Sequence, residues 1–417
     1  MNDTSGALVS LFEDAFIVDG ARTPFVDYNG VLSLVSPIEL GVKAGRAALA
    51  RAGVDGGEIG AVVAGNMAQA SFDAYFLPRH IGLYCGARVE TPALLVQRIC
   101  GTGVEAIAQS ADAVSLRRAD VVLCVGTESM SRNPVAAYTH RGGFRMGQVE
   151  FKDFLWEALH DPSCDTTMGG TAENLAKRYD ISRAEVDAFA ARSFARALEA
   201  RAAGFFDDEI VAVSDETFTL DGYNPRTLKL KGKGETVRED SHVRPSPLEA
   251  LAKIRPAFGG VQTGGNSSAV VDGAAGVVVA SGGWLKAKGR APLARIVACA
   301  AVGVPPRYMG IGPVPSIRAV CARAGIALSD IDRFEINEAF GAQVMACSRE
   351  LGLDEAKLNV NGGAIAIGHP LGATGVRLAL TVSRQLRREG LRYGIASACI
   401  GGGQGIAMIV ENPAAAH

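Results

Sequence analysis

The chain has 417 residues, of which 48% are hydrophobic and 21% charged, and its formal net charge is −2. The length exceeds one ordinary core and suits two or three domains of about 100–200 residues each. The composition excludes a disordered or fibrous chain, and the charge excludes a strong pull toward nucleic acid or an anionic membrane.

Near the N-terminus Asp3, Glu13 and Asp14 stand where a signal or transit peptide would need basic and then apolar residues. Next, short β-branched runs alternate with helical patterns. Residues 16–18, 60–65 and 119–126 read as buried strands, and 37–52 and 103–117 as helices. That alternation predicts a mostly parallel sheet covered by helices.

Cys100 falls in Arg98-Ile99-Cys100-Gly101-Thr102-Gly103, at a predicted helix start. Free N–H groups and the helix dipole there would favour a thiolate and make it a candidate nucleophile. Read alone, such a cysteine is more often a small buried residue in a tight turn.

From 129 to 270 the texture changes to helices mixed with polar, glycine-containing loops. Ser182 followed by Glu185 predicts a capping box for a helix over 182–203. An insertion of this kind over an α/β sheet commonly shapes a ligand pocket. The apolar stretch 274–280 is too short to span a bilayer, which needs about 20 such residues.

The strand and helix order then returns, with strands at 294–298, 332–336 and 393–398 and helices at 315–324 and 372–388. Asn337 just past a strand could hold a water or donate to an oxyanion, or could simply cap the helix that runs on through Met345, with Glu338 as a salt-bridge partner. His369 in Gly368-His369-Pro370-Leu371-Gly372 opens a helix, as Cys100 does in the first half, and imidazole is the commonest general base. Cys399 follows a strand and precedes Gly401-Gly402-Gly403-Gln404-Gly405, glycines that allow close backbone approach to a substrate. The eight cysteines show no C-x-x-C pair, so neither a metal site nor a disulfide framework is expected, and a reducing cytoplasm is the default location.

Taken together these runs resemble the thiolase family, over about residues 16–410. The matching residues are Cys100 in R-x-C-G-x-G, Asn337 in N-E-A-F, His369 in N-G-G-x-x-x-x-G-H-P-x-G-A-x-G and Cys399 in C-x-G-G-G-Q-G. Val18 to Pro24, the run from Gly126 to Ser131, and the insertion's Met168 to Asn174 and Thr263 to Ser268 support it.

The resemblance implies duplicated α/β halves, layered helix-sheet-helix-sheet-helix, with an inserted loop domain. The halves would be 1–128 with 271–291, and 292–417, and the insertion 129–270 would bind CoA. It implies that Cys100 holds the acyl group, that His369 takes its proton and that Cys399 moves a proton at the α-carbon of a second acyl-CoA. A water on Asn337 with His369 would stabilise one oxyanion, and the N–H groups of Cys100 and Gly401 the other. Met168, Arg244, Phe258, Ser268 and Phe340 match positions that the family uses around CoA, and Lys229, Lys231 and Lys233 are either phosphate partners or plain surface. Arg244 could equally be a solvated charge beside Glu239 and Asp240.

No metal and no cofactor are implied, CoA being substrate and product, and a homodimer or homotetramer is expected. Thr167 stands where many short-chain biosynthetic members have His, whereas Leu159-His160-Asp161-Pro162 resembles that group. The implied reaction is condensation of two acetyl-CoA and its reverse. A degradative 3-ketoacyl-CoA thiolase with longer substrates is the alternative.

Overall fold

Two stretches of the chain build nearly the same unit, as a computed structural model covering residues 6–69, 71–138, 140–232 and 234–415 shows. In the first, β1 (Leu8–Leu11) and β2 (Ala15–Arg22) precede the two-residue β3 (Val26–Asp27) and helix α1 (Pro37–Ala52). The α1 bounds are those read from the sequence. Ser36 caps the first turn by accepting the Ile38 N–H, and Gly53 stops the helix in a left-handed conformation at φ 62°. Strand β4 (Ala61–Gly65), helix α2 (Leu77–Tyr84), strand β5 (Ala93–Val96), helix α3 (Thr102–Ser115) and strand β6 (Val121–Ser129) follow.

The insertion contributes α4 (Met168–Arg178) and α5 (Arg183–Ala202), the latter with the predicted Ser182–Glu185 capping box. The chain then returns as β7 (Val271–Ser281), which contains the apolar stretch 274–280 and is buried along its whole length. The second unit runs β8 (Ala294–Gly303), α6 (Pro313–Ala324), β9 (Ile331–Ile336), α7 (Gly341–Leu351), α8 (Leu371–Glu389), β10 (Tyr393–Ile400) and β11 (Gln404–Glu411).

Eleven strands join in the order β9-β10-β11-β8-β2-β7-β6-β4-β5, with β1 on β8 and β3 on β7. The expectation of a mostly parallel sheet fails. Only β4/β5, β4/β6 and β9/β10 pair parallel, and the other neighbours are antiparallel. A helical crossover is needed for a parallel return. β7 re-enters instead from the long insertion, and β10 turns straight into β11 through Gly401–Gly403. Residues 8–11 also depart from expectation, because β1 lies along β8 of the second half and not in the first.

The two half-sheets meet edge to edge where Ala294 and Arg295 of β8 pair with Ile17 and Phe16 of β2. Helices α1 and α2 cover the outer face of the first half-sheet and α6 that of the second, while α3 and α8 pack on each other between them. These are the helix-sheet-helix-sheet-helix layers. Fifteen residues of α8 are buried, ten of them apolar or glycine, and its buried Arg377 is paired with Glu335. Each of its fully buried Leu and Val side chains contributes about 1.5–3 kcal/mol. The α3–α8 crossing is close enough that a Cβ on Gly103 would sit 2.6 Å from the Val376 nitrogen. Both central helices start at the same end of the molecule, immediately after Cys100 and His369.

Candidate active site

Cys100 lies in a one-turn 3-10 segment, Ile99–Gly101, that leads into α3. Ile99 holds φ 45°, a left-handed conformation that costs a β-branched residue about 1–3 kcal/mol. Local bonds enforce it. Thr102 Oγ1 accepts the Arg98 N–H at 2.9 Å and donates to the Ile99 carbonyl at 2.6 Å, and the Arg98 guanidinium spans Glu105 and Gln404. The result is a cysteine only 7% exposed, in one buried cluster with Met67, Ala68, Met130 and Leu371.

The expected thiolate is not what the resting site favours. Burial pushes the Cys100 thiol up to about 11, against the pull of the Gly401 and Cys100 N–H groups beside the sulfur. The helix start is offset by desolvation, and the nucleophile therefore needs a base. Gly401 belongs to the β10–β11 hairpin, so that hairpin sits on the nucleophile.

His369 follows a short helix, Ala364–Ile367, that ends at Gly368 with φ 107°. Its own N–H donates to the Ala269 carbonyl at 3.0 Å. Ring Nδ1 is 2.6 Å from Thr374 Oγ1, whose hydroxyl donates to the Pro370 carbonyl. The threonine oxygen must then accept, which assigns the proton to Nδ1 and leaves the lone pair on Nε2. Nε2 is 3.3 Å from Asn337 Nδ2. Burial, reinforced by the Arg377 charge, lowers the His369 pKa to about 3, so the ring is neutral.

Asn337 is fully buried, and its Oδ1 has no partner among the described residues. It does not cap α7, whose N-cap is Phe340. Its backbone instead donates to Ser397 and extends the β9/β10 ladder. Glu338 forms no ion pair among the described residues, contrary to its reading as a salt-bridge partner. It accepts from Ser193 Oγ, Asn359 Nδ2 and the Ile365 N–H, and so braces the segment that leads to His369.

Cys399 is the penultimate residue of β10 and is fully buried. Burial, and then the nearby Cys100 and Cys347, raise its pKa well above the usual thiol range. The hairpin beyond it depends on Gly403, at φ 86°, where a Cβ would lie 2.2 Å from the Val304 carbonyl.

Four of the five residues matched to CoA positions gather here. Met168 packs with Cys399, Met309 and Ala339, and Phe340 lies against that group. Phe258 meets Phe340 edge-on at 6.1 Å, and the Ser268 N–H donates to the Ala339 carbonyl at 3.0 Å. Arg244 is exposed, and its charge is felt at Asp27. Its bland alternative changes too, since Glu239 pairs with Arg201 and Asp240 is buried against Arg22. Lys229 and Lys231 are exposed, Lys231 reaching the Asn29 carbonyl, and Lys233 lies outside the described residues. Thr167 is the N-cap of α4, accepting the Gly170 N–H at 3.1 Å.

A cavity of about 410 Å³ opens beside Cys100, lined among others by Met67, Ala68, Ile99, Phe154, Met168 and Gly401. Sequence reading did not single out Thr374 or Glu128. Thr374 had a local signal, being five residues past His369 in the same motif, but Glu128 meets Gly372 across 244 residues.

Residues 15–283 match the protein-family model described as the thiolase N-terminal domain, and residues 290–412 that of the thiolase C-terminal domain. The chain is 42% identical over 410 residues to mitochondrial 3-ketoacyl-CoA thiolase of Homo sapiens, covering 97% of this chain and 100% of that protein. It is 43% identical over 404 residues to beta-ketothiolase BktB of Cupriavidus necator, covering 95% and 99%. It is 40% identical over 407 residues to acetyl-CoA acetyltransferase of Paracoccus denitrificans, covering 96% and 99%. The crystal structure of the human mitochondrial enzyme with CoA superposes with a TM-score of 0.91 at 42% identity, covering 96% of this chain and 98% of that one.

Proposed function

The chain belongs to the thiolase family, and we propose that it transfers acyl groups through Cys100, condensing two acyl-CoA molecules and, in reverse, cleaving a 3-oxoacyl-CoA with CoA. His369 Nε2 takes the thiol proton as the sulfur attacks the thioester carbonyl, and the departing CoA takes the Cys399 proton, leaving an acyl-enzyme beside an imidazolium and a Cys399 thiolate. Cys399 then removes a proton from the α-carbon of the second acyl-CoA. The carbanion attacks the acyl carbonyl on Cys100, a carbon–carbon bond forms, and the Cys100 thiolate is released to be reprotonated. The N–H groups of Cys100 and Gly401 stabilise one developing oxyanion, and His369 with a water on the unpartnered Asn337 amide the other. CoA lies along Met168, Phe258, Ser268 and Phe340, and the scheme needs no cofactor. The observation that supports this reading most is the packing of the Cys399 hairpin on the nucleophile's segment, where a Cβ on Gly401 would lie 3.5 Å from Ile99 and one on Gly101 2.5 Å from Ile400.

The first reading of the substrate is acetyl-CoA, going to acetoacetyl-CoA. The apolar wall of Met67, Ala68 and Phe154, on one side of a cavity that also meets Glu157, His160 and Asp161, favours a second, in which longer acyl chains are also accepted. Thiolysis rates across a series of 3-oxoacyl-CoA chain lengths decide between them. The cavity predicts sustained rates beyond acetoacetyl-CoA, and a collapse after it would restrict the enzyme to acetyl transfer.

We further propose a homo-oligomer. Strand β5 ends the sheet with Leu94 exposed, and exposed Phe72, Tyr75 and Phe76 lead into α2, which packs beside it. Light scattering of the purified protein should return a multiple of the chain mass, and a monomer would contradict it.

A further inference from the structure

Glu128 is a buried acid that this mechanism leaves unused. It is the penultimate residue of β6, is 1% exposed and has no ion pair among the described residues. Its carboxylate accepts four hydrogen bonds. Oε1 takes Asn66 Nδ2 at 2.9 Å and the Ala68 N–H at 3.2 Å, and Oε2 takes the Met67 and Gly372 N–H groups at 2.9 Å each.

These donors come from both sides of the site. Met67 and Ala68 wall the cavity beside Cys100. Gly372 is the second residue of α8, whose start has no side-chain cap of its own. A carboxylate supplied from another strand fills that place, satisfying a free N–H and meeting the positive end of the helix. The approach is tight, since a Cβ on Gly372 would lie 2.7 Å from the Thr127 carbonyl and 2.9 Å from that of Gly65. His369 lies three residues before Gly372 and Thr374, its ring partner, two residues after, so whatever fixes Gly372 fixes the imidazole. Burial raises the Glu128 carboxyl to about 7 against the four donors that favour its ionised form, and that charge bears in turn on the Cys100 thiol, after burial and the two N–H groups there, which places the acid within electrostatic reach of the nucleophile.

We propose that Glu128 is a positioning residue for the acylation step: its carboxylate locks the start of α8, and with it His369, against the Met67–Ala68 wall, holding the base in the one geometry that serves Cys100. This rests on the reading of Cys100 as nucleophile and His369 as its base. Glu128 touches no substrate, so it acts on rate rather than on affinity.

The test uses the full chain as wild type, Glu128→Gln and Glu128→Asp. The acylation rate with acetyl-CoA is read in a single turnover, and kcat and KM for CoA in thiolysis. Glutamine keeps the shape but sets an NH₂ against N–H donors. Aspartate keeps the charge but falls short of Gly372. Misplacement of a base by about 1 Å costs about 100-fold. The expected result is an acylation rate and kcat lowered about 100-fold in the glutamine variant and partly restored in the aspartate one, with KM for CoA within about 3-fold of wild type. Wild-type acylation in either folded variant overturns the proposal, as does a fall confined to KM. If neither variant folds, Glu128 belongs to the core rather than to the site, and the proposal falls as well. A wild-type enzyme that takes no acyl group would refute the reading of Cys100 instead, so the two failures are distinct.

Discussion

At neutral pH, Cys100 and His369 rest as thiol and imidazole, the first raised to about 11 and the second lowered to about 3, chiefly by burial. Proton transfer between them is therefore tied to attack on a substrate carbonyl, when the new charge falls on an oxyanion that N–H groups can meet. Asn337 carries part of that task through an amide whose oxygen is otherwise unpartnered. Asn337→Ala should lower kcat about 100-fold or more with little change in KM, measured by steady-state thiolysis; a loss confined to KM would make it a binding residue. The depressed His369 pKa also has a stability consequence. Below its ordinary pKa of 6.5 the unfolded chain binds a proton that the folded chain refuses, so this stability is complete above pH 6.5 and is lost as pH falls toward 3. Urea unfolding of wild type and His369→Asn between pH 6 and 4 should differ in slope by about 1.4 kcal/mol per pH unit, with the variant less acid-sensitive. Equal slopes would mean that the imidazole is charged in the fold. The three reactive side chains were legible in sequence because glycine and proline surround them. Glu128 was not, because its acceptor role exists only once β6 meets the start of α8.

Single elements follow local rules closely. Helix α1 begins at Pro37 behind a serine cap and stops at a left-handed glycine, and α5 begins behind Ser182 with its reciprocal Glu185. Ser182→Ala removes one half of that capping box and should lower stability by about 1 kcal/mol in denaturant titration without changing kcat. A change in kcat would mean that the insertion's helix is coupled to the chemistry. Strand direction was the part that sequence could not supply. Period and β-branching mark a buried strand, but whether β7 or β11 runs parallel to its neighbour depends on the connection before it. One connection is the long insertion and the other a three-glycine turn. Residues 404–411 likewise carried no strand reading, and they form β11 because β8 and β10 flank them.

For the molecule as a whole, the repeated order of elements carries the chemistry. Each half delivers one reactive residue to the start of a central helix, and α3 and α8 cross so closely that both starts face one site. The β10–β11 hairpin then sets a second thiol beside the first. This division assigns acyl transfer to Cys100 and carbon–carbon bond formation to Cys399. Intact-protein and peptide mass spectrometry after exposure to acetyl-CoA, with assay of acetoacetyl-CoA, tests it most directly. Wild type and Cys399→Ala should each gain one acetyl group on the Cys100 peptide, Cys399→Ala should form no acetoacetyl-CoA, and Cys100→Ala should gain no adduct. A stable adduct on Cys100→Ala, or condensation by Cys399→Ala at the wild-type rate, would contradict it.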